Sequence, residues 1–105
     1  MKQWADNRGI NLLLAMDGDR NAIYKSPALD ESNGVGPLSL NSLAKSAAQQ
    51  NDIHFIDLHA VFKDDFAQNH KLFNFEVDGH WNVYGHRLVA HAIFKYIRDH
   101  RLASI

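Results

Sequence analysis

"IHFIDLHAVFKDDFAQNH", residues 53–70, runs from a strand into a helix with no glycine or proline between them. Ile53, Phe55, Ile56 and Leu58 form an apolar stretch of strand length that only partly alternates. Beyond it, Val61, Phe62, Asp65 and Phe66 recur at helical intervals, so 59–70 reads as a short helix. One strand-to-helix step of this kind sets the class of fold if the flanking elements repeat it.

They do on both sides. Upstream, "LSLNSLAKSAAQQN" (38–51) reads as a helix with Leu40, Leu43, Ala44 and Ala47 on one face and Ser39 as N-cap. Before it, "INLLLAM" (10–16) is a continuous apolar run, as expected of a strand buried on both faces. Gly9 in front sits where a first helix over "MKQWADNR" would end in a left-handed cap. Downstream, "KLFNFEV" (71–77) is extended or irregular. Leu88, Val89, Ala92, Ile93, Tyr96 and Ile97 then mark a long helix that Asn82 can cap. Arg98, His100 and Arg101 suit its negative C-terminal end. Buried strands alternating with helices predict an α/β fold with a short parallel sheet and right-handed crossovers. Two strands leave hydrogen-bonding edges open, so the sheet would be completed by a partner chain or by a missing half. The connection over 17–37, rich in turn residues, is long enough to be functional or to hold short structure of its own.

The bulk numbers exclude several classes of function. A chain of 105 residues is read as one domain, 1–105. Eleven basic against twelve acidic residues give a net charge of −1, and no basic stripe accompanies the aromatics. This argues against nucleic acid as a partner. Phe55, Phe62, Phe66, Phe73, Phe75 and Trp81 are then expected in the core, and Tyr24 as a pocket wall or a core residue. Without cysteine there is no disulfide, thiol nucleophile or thiolate metal site. No apolar run is long enough for a membrane span, and the polar start "MKQWADNRG" is not a signal peptide. The compartment stays open.

"EVDGHWNVYGHRLVAHAIFKYI" (76–97) carries the candidate chemistry. Asp78 and His80 flank a glycine, so their side chains can meet across a tight turn. A carboxylate that accepts from one imidazole nitrogen leaves the other free as a general base. The simpler alternative is that Asp78 only caps a turn while His80 faces outward and Trp81 closes the core.

"DGHWNVYGHRLVAHAI", with "IHFIDLHAVF" about twenty residues upstream, resembles the C-terminal block of the SGNH (GDSL-type) hydrolase superfamily. "NLLLAMDGDRNAIY" is similar to the penultimate strand and following loop of those enzymes. The resemblance implies a partial three-layer α/β/α (flavodoxin-like) sandwich and a Ser-His-Asp enzyme that hydrolyses or transfers acyl esters, often acetyl groups on carbohydrate. It makes His80 the general base and Asp78 its orienting acid. Trp81, Asn82 and Gly85 become structural, Gly85 letting the last helix approach the sheet. The family's Gly-Asp-Ser nucleophile motif is not found: "DGDR" places Arg20 where the serine would stand, and Asn33–Gly34 is a poor match for the oxyanion-hole segment. The serines at 26, 32, 39, 42, 46 and 104 fit loops, caps or helix surface. The chain therefore reads as the C-terminal half of such an enzyme, inactive alone and dependent on a serine-bearing N-terminal half.

Other constellations are weaker. His86 and His91, five apart on a helix, diverge by about 140° and do not form a zinc pair. His54 and His59 would point to opposite sides of a persisting strand. Asp78, His80 and His86 could meet at one turn, but three or four convergent ligands make a closed site. No metal and no cofactor is expected. Asp17, Asp19 and Arg20 read as a solvated turn or as contacts to a polar substrate group. A competing expectation is a small non-catalytic α/β module that works as a homo-oligomer or by docking on a partner.

Overall fold

Two short strands, Leu13–Met16 (β1) and His54–Asp57 (β2), lie parallel, with Leu13 beside His54 and Met16 beside Asp57. The computed structural model describes residues 1–25 and 37–103. Among these residues there are five helices: α1 (Lys2–Asp6), α2 (Arg20–Lys25), α3 (Pro37–Gln50), α4 (Leu58–Asn69) and α5 (Val83–Asp99). The parallel α/β class follows, and the strands are shorter than the apolar runs that announced them.

Local chemistry sets most boundaries. After α1, Gly9 adopts a left-handed conformation (φ 67°), and the Ile10 N–H returns to the Ala5 carbonyl. Asp57 ends β2 and caps α4, its carboxylate accepting from the His59 N–H at 3.1 Å. Asn82 caps α5 by accepting from the Gly85 N–H at 2.8 Å. Proline occupies the first position of α3, where its missing N–H costs nothing. Ser39 therefore lies inside this helix and is not its cap. The long connection after β1 does carry structure, the six residues of α2.

The core is Ile23, Ile56, Leu58, Phe62, Phe73 and Val89, with Leu13, Trp81, Ile93 and Tyr96 packed around it. Phe62 and Phe73 stack with ring centroids 4.0 Å apart. The expected stripe of α5 faces this core. In α4, Phe62 is buried, and Asp65 meets α5 by accepting from the Tyr84 hydroxyl at 2.7 and 2.9 Å. Ile56 faces α4 and α5, while Phe55 shares a hollow with Lys45 and Gln49 of α3. Helices thus lie on both faces of the pair.

Three expectations about burial fail. Leu14 and Ala15 of β1 are exposed, so this strand is not covered on both faces. Over residues 40–50 of α3 the buried positions are Asn41 and Ala48, whereas Leu40 and Leu43 stand 55% and 65% exposed. Asn41 turns inward because its amide donates to the Asp17 carbonyl (3.1 Å) and the Asp57 carboxylate (2.7 Å). It ties together the C-terminal ends of β1 and β2, and the leucines are rotated outward as a result. Phe75, expected in the core, is half exposed.

At the other end of the strands the Asn11 side chain donates to the Leu102 carbonyl at 3.1 Å. No helix among the described residues is long and apolar enough to cross a membrane.

Candidate active site

The segment between α4 and α5 folds back on itself. Asn74 and Trp81 form an antiparallel bridge, and the Phe75 N–H donates to the His80 carbonyl at 3.0 Å. The Asp-Gly-His turn is the tip of this narrow loop. It lies between α4 and α5 and not at the end of either parallel strand. Asn82 fixes the base of the loop: besides capping α5, its side chain donates to the Leu72 and Asn74 carbonyls at 2.9 and 3.3 Å. From the far side, Tyr24 of α2 accepts from the Phe73 N–H at 3.0 Å and donates to the Asn74 side chain. Tyr24 also packs edge-on to Phe66, so it is both a core residue and a brace. Burial pushes its hydroxyl pKa up.

Gly85 makes room for this arrangement. A Cβ there would lie 2.1 Å from the Phe73 carbonyl oxygen. The close approach is therefore to the loop backbone and not to the sheet.

At the tip the two expected residues meet. Asp78 Oδ1 accepts from the His80 backbone N–H at 2.8 Å and lies 3.2 Å from His80 Nδ1. With the proton on Nδ1, the ring donates to the carboxylate and Nε2 is left as a base. The backbone N–H, and after it the His80 ring, holds the Asp78 carboxyl below the ordinary aspartate range. Asp78 is about half exposed and the His80 side chain is 88% exposed. The ring is thus presented outward from this chain.

Beside it lies a cavity of about 280 Å³ lined by Asp17, Arg20, Gly79, His80, Trp81 and His86. No serine is among these residues. Two residues of this lining carry a fully buried donor, Arg20 Nε and Trp81 Nε1, that has no acceptor among the described residues. A second hollow of about 480 Å³, bounded by Met16, Gly18, Leu40 and Asn41, shares Asp17 and Arg20 with the first. A further hollow, of about 540 Å³, is beside Ile53 and His54 at the start of β2 and includes neither Asp78 nor His80.

The loop after β1 supplies Asp17, Asp19 and Arg20, which the sequence left as a solvated turn or as contacts to a polar substrate group. Arg20 pairs with Asp17 at 2.8 Å and donates to the Gly79 carbonyl at 2.8 Å. Asp19 caps α2 with its carboxylate, and its N–H donates to Nδ1 of the buried His59 at 3.1 Å. The only hint of this in the sequence is the density of Asp, Gly and Arg directly after a strand. His54 is engaged elsewhere, with Tyr96 and His100. His86 packs edge-on to Trp81. Among the described residues no group of three or more histidine or acidic side chains is arranged to hold a metal ion. Ser42 and Ser46 are exposed on α3. Ser26, Ser32, Asn33, Gly34 and Ser104 lie outside the described residues.

A family model described as an SGNH hydrolase-like domain, acetyltransferase AlgX, matches residues 2–104, nearly the whole chain. No curated protein and no solved structure matches the chain.

Proposed function

Since the chain belongs to the SGNH hydrolase-like family that this AlgX acetyltransferase model describes, we propose that it carries the histidine–aspartate part of an acyl-transfer site for O-acyl, chiefly O-acetyl, esters of carbohydrate. The observation that carries this reading is the 3.2 Å contact between His80 Nδ1 and Asp78 Oδ1. The serine comes from outside this chain, from a serine-bearing half or a partner. Its hydroxyl attacks the ester carbonyl while His80 Nε2 takes the proton. Asp78 holds the ring and balances the imidazolium charge. Collapse of the tetrahedral adduct expels the alcohol, which leaves with the proton from His80. A second hydroxyl, from an acceptor sugar or from water, then takes the acyl group while His80 again removes and returns the proton.

The outward-facing ring supports a site that is finished by something outside this chain. The chain alone, assayed with p-nitrophenyl acetate, should show no turnover above a His80→Ala control. His80-dependent hydrolysis by the chain alone would overturn its dependence on an external serine. In a complex or longer polypeptide that contains this segment and the serine, His80→Ala should lower kcat by about 10³-fold or more. Unchanged kcat there would overturn the catalytic role.

A second reading, a non-catalytic module that self-associates, is favoured by the uncovered residues of β1 and by the exposed Leu40 and Leu43. Pairing of β1 with a second copy would extend the sheet. Sedimentation of the chain as a monomer at high concentration would count against it.

A further inference from the structure

We infer that Arg20 is a positioning residue that holds the Asp-Gly-His turn in register with the end of β1, an inference that rests on the proposed role of the Asp78–His80 pair. The turn is the tip of a loop, and its own hydrogen bonds are almost all local, within residues 72–85. Arg20 reaches it from 59 positions away and donates to the carbonyl of Gly79, the residue between the acid and the base. Gly79 has no side chain to anchor and nothing within 4 Å of where a Cβ would lie. Its carbonyl is the natural handle.

The guanidinium is in turn fixed. One nitrogen meets both the Asp17 carboxylate at 2.8 Å and the Gly18 carbonyl at 3.1 Å, and the other meets Gly79. Its Cζ lies 5.6 Å from the centroid of the Phe73 ring. The loop that bears Arg20 has little freedom either. A Cβ on Gly18 would come within 2.7 Å of the His59 backbone, and Asp19 is bound to the His59 ring. Asn41 holds the Asp17 carbonyl from α3. The path from the sheet to the base is continuous: β1 end, Asp17, Arg20, Gly79, His80. A lysine could contact one of these oxygens but could not span the fork, because the two nitrogens of the guanidinium are held at a fixed separation.

The test is NMR on the uniformly ¹⁵N-labelled full chain. It reads the His80 ring tautomer and the exchange rate of the His80 amide, with the Phe62 amide as a reporter of global folding. Asp78→Asn establishes how far the tautomer moves when the carboxylate is lost. Arg20→Met should then produce about half that change or more and speed His80 amide exchange by about tenfold, with Phe62 exchange unchanged. Arg20→Lys should fall between wild type and Arg20→Met. If Asp78→Asn leaves the tautomer unmoved, the proposed pairing fails. If Asp78→Asn moves it and Arg20→Met does not, the brace is refuted while the pairing stands. If Arg20→Met speeds Phe62 exchange equally, Arg20 is a general stabiliser and the positioning role is likewise refuted.

Discussion

Asp78 owes its low pKa first to a backbone N–H and only then to the imidazole. Two consequences follow for titration. Because the folded-state value lies below the unfolded one, the carboxylate's contribution to the turn is fully present at neutral pH. It is lost only as pH falls through the depressed value. Replacement of His80 by alanine should leave most of the depression in place, since the backbone donor remains. Carbon-detected titration of the Asp78 carboxyl checks both, and a return to the ordinary aspartate range in His80→Ala would contradict the order of causes. At Gly85 the effect is steric. Gly85→Ala places a methyl group against the Phe73 carbonyl and should cost about 3 kcal/mol or more, visible as a large fall in Tm. Asn82→Ala removes the cap of α5 and leaves the Leu72 and Asn74 carbonyls without their donor, which should cost about 2 kcal/mol in the same measurement.

Among the elements, α5 was the most legible in the sequence. Its stripe recurs over ten residues, its cap is a good one, and its partners need only be apolar. The face of α3 was misread because periodicity scores side chains by type. Asn41 is buried for its amide, whose acceptors lie 24 and 16 residues away at the ends of two strands. A helical wheel cannot see them. Six-residue α2 is too short to show a period at all. The site divides in the same way. The Asp78–His80 contact was readable because both partners sit in one turn, whereas Arg20 was not, its acceptor being brought close only by the fold. The exposure of α3 has a simple test. Leu40→Lys with Leu43→Lys should change the stability of the isolated chain by no more than about 0.5 kcal/mol. A loss of several times that in chemical denaturation would mean that the two leucines are covered in solution.

At the scale of the molecule, the Asp-Gly-His turn lies beside the rim of the two-stranded sheet where β1 ends, and the approach to β1 lies at the opposite rim. α5 begins beside the Asp-Gly-His turn, and its 17 residues carry the chain about 25 Å away. There Leu102 meets Asn11, the residue that leads into β1. The approach to β1 and the turn after α5 therefore meet on the side remote from His80. That single side-chain bond clasps the segment entering β1 to the one leaving α5, so neither has to pass across the imidazole.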